Sequence, residues 1–237
     1  MITISKISKR NKVDIEGNSP WVDMSYVDWS CITKDYTPKG YKKHEVIYHQ
    51  QDNPDCVYLV KKGRVRLDIY GFNGEKRSLF IAEAGTFFGE LSTIDEMPNM
   101  CSATAATYSV VYSIPKTRFI EELSKNYDFS FSILKMMSKK IRLITTQIKQ
   151  LSFNDSNYRV CYALTSLANQ YGSKTSEGYY KLGIKFTHQE MANLTGLSRV
   201  SVSNILLNLA SEGIIDKDEG FVIIIDMNRL SNYLLEN

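Results

Sequence analysis

The sequence predicts an α+β fold that consists of a small β-barrel (jelly roll), one long helix and a C-terminal winged helix-turn-helix. Three observations predict it. Short apolar runs separated by turn residues fill residues 44–114, apolar residues recur at steps of three and four over residues 134–151, and a glycine separates two short amphipathic segments within residues 187–209. These patterns are typical of short strands, of a coiled-coil helix and of a helix-turn-helix.

Composition indicates an ordinary globular protein of two modest domains. The chain has 237 residues, 43% of them hydrophobic and 23% charged. No apolar run approaches the roughly 20 residues of a membrane span, and the N-terminus lacks the apolar core of a signal peptide. We therefore expect a cytoplasmic protein without a membrane partner. Its cysteines (Cys31, Cys56, Cys101 and Cys161) lie far apart, so free thiols and no metal site are expected.

The N-terminal half is predicted to form the barrel. Residues 1–20 are polar and are expected to form an arm, and residues 21–33 contain aromatics and are expected to form a first short helix. Val65, Leu67 and Ile69 alternate with polar residues, as in a half-buried strand. Asn73-Gly74 predicts a tight hairpin in which both residues take positive φ. The expected strands are residues 44–49, 56–60, 65–69, 79–81, 103–107 and 110–114.

A short helix is expected at residues 117–125, and a long one begins after Asp128. Its apolar residues have the a/d spacing of a coiled coil, which predicts a parallel homodimer. The alternative is a helix that lies on its own barrel. The lysines and the arginine beside the seam are expected on the solvated face: Lys135, Lys139, Lys140, Arg142 and Lys149. The seam residues are Leu134, Met137, Ile141, Ile144, Ile148 and Leu151.

The remaining chain predicts a winged helix. Residues 154–157 form a polar break and the expected hinge, followed by a helix at 158–170, a loop at 172–178 and a strand at 179–186. Residues 213–217 and 221–226 flank Asp218-Glu219-Gly220 as a hairpin, and residues 227–235 form a closing helix. The expected domains are the arm (1–20), the sensor barrel (21–127), the dimerisation helix with its hinge (128–156) and the DNA-binding domain (157–237).

The helix-turn-helix is predicted from its capping residues. Thr187 and Glu190 form a capping box, Gly196 ends the first helix, and Ser198 caps the second. The second helix has a buried stripe, which leaves a short polar outer face that would enter a DNA major groove. An ordinary helical hairpin is the alternative. Residues 157–237 carry seven Lys/Arg against eight Asp/Glu, so general positive charge does not support DNA binding. The stripe residues are Val202, Ile205, Leu206 and Leu209.

Several motifs in this order resemble one family. They are DNPDCVYLVKKGRVRL at residues 52–67, GTFFGELSTID at 85–95, SATA at 102–105, IPKTRF at 114–119 and RVCYALTSLA at 159–168. From about Tyr41 onward the chain resembles the cyclic-AMP receptor protein/fumarate-nitrate regulator (CRP/FNR) family of bacterial transcription regulators. The resemblance implies a homodimer that binds double-stranded DNA, contacts RNA polymerase and has no enzymatic activity.

The resemblance also locates an effector pocket. In members that bind a cyclic nucleotide, a Gly-Glu-Leu step and an Arg-Ser pair hold the ribose and the phosphate. Gly89, Glu90, Leu91 and Ser102 match this pattern, but Cys101 replaces the arginine, and a thiol cannot form its charged, bidentate contact. We therefore expect no cyclic-nucleotide cofactor and an unknown effector. Cyclic-nucleotide binding without this arginine and effector-independent regulation are the alternatives.

One further pocket position and the DNA-reading residues follow from the same resemblance. Thr145 matches a position that touches the effector base, or it lies on an exposed flank. Arg199 is retained in the second helix, but Val200 replaces a glutamate and Asn204 an arginine, which predicts a palindromic, A/T-richer site. The predicted DNA-binding residues are Thr187, His188, Gln189, Ser198, Arg199, Val200, Ser201, Ser203 and Asn204.

Two other classes of function fit the sequence less well. A barrel enzyme of the cupin type needs two or three histidines with a carboxylate on a metal. The chain has only His44, His49 and His188, and His188 lies in the helix-turn-helix. A nucleotide-binding module that serves a partner protein would leave the winged helix without a purpose.

Overall fold

The computed structural model describes residues 20–235. Within them the chain divides into two compact units, Pro20–Gln147 and residues 148–235. The arm predicted at residues 1–20 lies outside the described residues except for Pro20. Helices and antiparallel sheets occur in both units, which confirms the α+β fold class.

The first unit is a two-sheet barrel. One sheet has the strand order β1-β6-β5-β8-β3 and the other β2-β9-β4-β7. All pairings are antiparallel except β1 with β6, which is parallel. The elements are β1 (Trp21–Val22), α1 (Ser30–Thr33), β2 (Lys39–Tyr41), β3 (Val46–Tyr48), β4 (Cys56–Lys62), β5 (Val65–Tyr70), β6 (Lys76–Ala82), β7 (Phe87–Phe88), α2 (Glu90–Asp95), β8 (Ser102–Ala105), β9 (Ser109–Pro115) and α3 (Lys116–Lys125).

The hairpin between β5 and β6 differs from its prediction. Tyr70 pairs with Lys76 at its tip, so residues 71–75 form a loop of five residues. Gly74 takes positive φ, but Asn73 does not. The Asn73 side chain instead accepts a hydrogen bond from the backbone N–H of Glu75 at 3.1 Å. The expectation that both residues take positive φ was wrong, because this side-chain bond stabilises a longer loop.

Other differences occur where elements are short. Residues 21–33 hold a two-residue strand and a four-residue helix rather than one helix, and residues 172–174 form a strand rather than a loop. The strands β2 and β7 and the helix α2 were not predicted. Pairing with a neighbouring strand, which the local sequence does not specify, creates these strands.

An aromatic cluster joins the barrel to its helices. The Trp29 ring meets Phe87 of β7 edge-on, with 4.9 Å between centroids, and Phe129 at 5.7 Å. Phe119 of α3 lies 5.6 Å from both phenylalanine rings. All four side chains are buried in the core that both sheets share. The cluster therefore holds four separate segments of the chain together.

The long helix α4 (Tyr127–Phe153) has two apolar faces. Phe129, Ile133, Met136 and Leu143 are buried in the barrel core. Most of the predicted seam lies elsewhere on the helix and is exposed: Leu134, Ile141, Ile148 and Leu151. Met137 and Ile144 are partly buried and pack against the barrel core. The alternative of a helix that lies on its own barrel thus describes one face of α4, and most of the predicted seam lies exposed on another face.

The second unit is built around a four-stranded antiparallel sheet of order β10-β11-β13-β12. In the loop of its β12–β13 hairpin, Glu219 and Gly220 both take positive φ, as a two-residue turn of type I′ requires. The predicted wing hairpin is present. The elements are α5 (Ser156–Tyr171), β10 (Gly172–Lys174), β11 (Tyr180–Leu182), α6 (His188–Thr195), α7 (Arg199–Ser211), β12 (Ile215–Asp218), β13 (Phe221–Ile224) and α8 (Met227–Asn232).

Removal of one aromatic ring tests the cluster. Phe119→Ala leaves a cavity among four packed segments and is expected to lower the free energy of unfolding of the barrel by about 3–5 kcal/mol. Both tryptophans, Trp21 and Trp29, lie in the barrel unit, so their fluorescence during urea unfolding reports on that unit. Phe72→Ala, at the exposed hairpin loop, is the matched control and should change little. Equal effects of both substitutions would contradict the role of the cluster.

Candidate functional site

The helix-turn-helix consists of α6 and α7, and each predicted cap is formed. The Thr187 hydroxyl accepts from the Glu190 N–H at 3.1 Å, and the Glu190 carboxylate accepts from the Thr187 N–H at 2.7 Å. Gly196 ends α6 with a φ of 69°. The Ser198 hydroxyl accepts from the Ser201 N–H at 3.0 Å. These caps fix where both helices begin and where the first ends.

Tertiary contacts hold α7 with one face inward. The stripe predicted for it is buried: Val202, Ile205, Leu206 and Leu209. Behind it, the Arg159 guanidinium donates to the carbonyl of Thr195, the last residue of α6, at 3.0 Å. A cation at a helix C-terminus is favourable. The outer face of α7, defined here as Arg199, Val200 and Asn204, is exposed, and Val200 is 68% exposed.

His188 connects α6, α7 and the wing. Its Nδ1 lies 2.6 Å from Ser203 Oγ, and its Nε2 lies 3.1 Å from the Nζ of Lys217 on β12. An ammonium group only donates, so Nε2 must accept, and the Nδ1–H donates to the serine. The ring is therefore neutral in this arrangement, and the wing lysine is held beside the outer face of α7.

Nearby charge agrees with this neutral ring. Burial, followed by the positive charges of Lys217 and Arg199, lowers the pKa of His188 below its usual value. Both basic side chains therefore disfavour a positive charge on the His188 ring. An anion placed against them would relieve that repulsion. The wing residue Lys217 was not among the predicted DNA-binding residues, although its position in the hairpin strand next to the recognition helix could have indicated it.

The other predicted DNA-binding residues occupy the same region. Gln189 is exposed, and its side-chain amide donates to Asn193 at 2.9 Å. Ser201 is partly buried, with its hydroxyl 2.8 Å from that of Ser198. The structure thus brings all nine predicted positions to the start of α6 or along α7.

A cavity of about 40 Å³ lies inside the barrel beside the Gly-Glu-Leu step. Gly89, Glu90, Leu91 and Cys101 line it, as expected. The remaining walls are largely apolar: Leu67, Leu79, Phe80, Phe88 and Ile144 are among the lining residues. A cavity of this volume holds about one water molecule. It is far smaller than the roughly 300 Å³ or more that ligand pockets usually provide.

Lys140 also lines this cavity and binds Glu90 there. Its Nζ lies 2.7 Å from Glu90 Oε1 and donates to the Phe87 carbonyl at 2.7 Å. Lys140 was expected on the solvated face of α4, and that expectation was wrong. Ile133, Met136, Lys140 and Leu143 follow one another at steps of three and four, so this lysine lies in the buried stripe of the helix.

Two predicted pocket residues do not line this cavity. Ser102 is buried, and its hydroxyl accepts from the Gln50 N–H at 2.8 Å. Thr145 is exposed, because it lies one residue beyond Ile144 and so points about 100° around the helix from it.

Burial disfavours the reactive thiolate form of Cys101. Loss of solvation raises the pKa of its thiol to about 11, so the thiolate that redox chemistry requires is scarce at neutral pH.

Within the described part of the chain, no three His, Cys, Asp or Glu side chains cluster as a metal site would need. Across residues 20–235, no helix is long and apolar enough to span a bilayer.

Two family models match the chain. A cyclic nucleotide-binding domain matches residues 38–126, and a Crp-like helix-turn-helix domain matches residues 158–233. The CRP-like cAMP-activated global transcriptional regulator of Mycobacterium tuberculosis is 26% identical over 202 residues, which are 85% of this chain and 90% of that protein. The Cyclic AMP receptor protein of Thermus thermophilus is 29% identical over 182 residues, 77% of this chain and 81% of that protein. The chain belongs to the CRP/FNR family.

One solved structure aligns with most of the molecule. It is a CooA mutant from Carboxydothermus hydrogenoformans, with a TM-score of 0.73 and 23% identity, and the match covers 87% of this chain and 91% of that one. This likeness concerns the fold. As a CRP/FNR regulator, the chain is a DNA-binding transcription protein, and α6 and α7 are its helix-turn-helix. Its relatives are regulators rather than enzymes.

The pKa of His188 provides a test of the wing geometry. Lys217→Met removes a positive charge and the donor to Nε2, and both changes favour the protonated ring. The His188 pKa is therefore expected to rise towards its usual value, as measured by NMR titration of the ring protons. Lys185→Met is the control, because that ammonium lies over the Phe221 ring. An unchanged His188 pKa in Lys217→Met would contradict the contact.

Proposed function

We propose that the chain is a homodimeric regulator that binds a palindromic, A/T-rich DNA site and contacts RNA polymerase in the cytoplasm, without catalysing a reaction. The observation that carries this proposal is the exposed outer face of α7, held by a fully buried stripe on its other side. Such a helix can enter a major groove without rearrangement of its own unit.

The exposed seam on α4 supports the dimer. Leu134, Ile141 and Ile148 are seven residues apart and are 57%, 62% and 58% exposed. Large aliphatic side chains at heptad spacing form a continuous apolar strip, and water is a poor environment for it. A second copy of the same helix would bury this strip. Paired chains would then present two recognition helices to successive major grooves about 34 Å apart.

The outer face of α7 indicates which bases are read. Asn204 has the amide geometry that pairs with adenine, and Val200 offers an apolar surface to a thymine methyl. Arg199 is the charged group of this face and can reach a guanine or a phosphate. Thr187, His188, Gln189, Ser198, Ser201 and Ser203 would position the protein on the backbone.

Cyclic nucleotides are not the proposed effector. Cys101 stands where nucleotide binders carry an arginine, and the cavity beside Glu90 holds about 40 Å³. A cyclic-nucleotide response is the second candidate, favoured by the retained Gly89-Glu90-Leu91 step and by the cAMP activation named for the mycobacterial relative.

Disruption of the seam tests the dimer. Ile141→Glu places a charge in the centre of the apolar strip and is expected to shift the protein to monomers at micromolar concentration, as measured by analytical ultracentrifugation. Ile120→Glu changes an exposed isoleucine of α3 in the same way, and this matched control should leave the dimer intact. A monomeric wild type, or a dimer in which Ile141→Glu has no effect, would contradict the proposal.

Selection of binding sites from random duplex DNA tests the proposed function. The wild type should return an inverted repeat with an A·T pair at the position opposite Asn204. Asn204→Arg should change that position to guanine, because arginine binds the O6 and N7 atoms of guanine. Asn228→Arg adds the same charge on α8, outside the helix-turn-helix, and should leave the selected sequence unchanged. A wild-type site with an invariant G·C pair there, or no enrichment, would contradict the proposal.

A further inference from the structure

The buried ion pair between Lys140 and Glu90 lies where a ligand would be expected. The two side chains are 5% and 2% exposed, and they come from α4 and from the start of α2. The ammonium has two oxygen acceptors at 2.7 Å and also lies over the Phe80 ring, 5.0 Å from its centroid. A buried charge is tolerated only when it is paired and hydrogen-bonded in this way.

This pair uses the groups that a ligand would need. Glu90 is the carboxylate that the family resemblance assigns to a ribose hydroxyl, and here it is bound to an internal ammonium. The space that remains is water-sized. A small effector could reach Glu90 only after Lys140 had left it, so the lysine competes for the site.

The same pair fixes the rotation of α4. Lys140 is adjacent in sequence to Ile141, and successive residues point about 100° apart around a helix. While Lys140 is bound to Glu90, Ile141 must face away from the barrel, as its 62% exposure shows. Rotation of the helix by one residue would bury part of the seam and would expose the ammonium of Lys140.

We propose that Lys140 is a built-in ligand: its ion pair with Glu90 takes the place of a small effector and keeps α4 in the orientation that exposes the dimer seam, so that DNA binding needs no effector. This inference rests on the proposed function, because it concerns how the DNA-binding dimer is kept active. In this proposal, Lys140 and Glu90 are positioning residues that affect DNA binding through the orientation of α4.

The test measures binding of the full chain to its selected duplex by fluorescence anisotropy, with and without cAMP. Wild type should bind equally well in both conditions. Lys140→Met should bind about tenfold more weakly, a loss within the usual range of coupling between sites. Lys135→Met, an exposed lysine on the same helix, is the matched control and should bind like wild type. Thermal unfolding of each variant is measured in parallel.

The double variant Glu90→Gln/Lys140→Met separates positioning from stability. It removes both charges, and loss of a whole buried pair is often nearly neutral for stability. The proposal would be supported if the double variant unfolds at about the wild-type temperature but still binds DNA about tenfold more weakly than wild type. The proposal would be overturned if the double variant recovered both its unfolding temperature and its DNA affinity. It would also be overturned if Lys140→Met bound DNA with wild-type affinity, or if cAMP tightened DNA binding by the wild type. Failure of the wild type to select any DNA would instead overturn the proposed function.

Discussion

The packing of α4 against the barrel is the constraint on which the first unit depends. Phe129, Ile133, Met136 and Leu143 are buried in a core that both sheets share. Because the buried side chains recur at steps of three and four, they favour one rotational position of the helix, and the ion pair of Lys140 with Glu90 holds the same position. That position leaves a second apolar strip in water. Burial of one face therefore leaves the second apolar face exposed, as the proposed dimer requires.

In the second unit, burial of one helix face likewise determines which face of that helix is exposed. The stripe of α7 is buried, so its short outer face must point outward. His188 then fixes the wing strand against α7 through Ser203 and Lys217. Recognition helix and wing are thus held as one surface by a neutral imidazole. The positive charges of Lys217 and Arg199 both act on His188, although residues 157–237 carry more acidic than basic side chains.

Local patterns were enough to predict much of this molecule. The capping box at Thr187, the turn at Gly196 and the stripe of α7 depend on residues within a few positions of one another, and all are present. The contact of Lys140 with Glu90 joins residues 50 positions apart, and no local pattern pairs them. The parallel pairing of Trp21 with Ile81 spans a still longer separation. Sequence motifs located the pocket, whereas long-range packing decided what fills it.

The two-residue strand β1 has a consequence for aggregation. It lies along β6 at the edge of the five-stranded sheet and accepts or donates the backbone hydrogen bonds that β6 would otherwise offer to solvent. A longer edge strand would be a template on which another polypeptide could add. The two residues of β1 cover only Ile81 and Ala82 of β6, and a strand of this length is too short to recruit a neighbour. Self-association of the barrel through this end of the sheet edge is thereby discouraged.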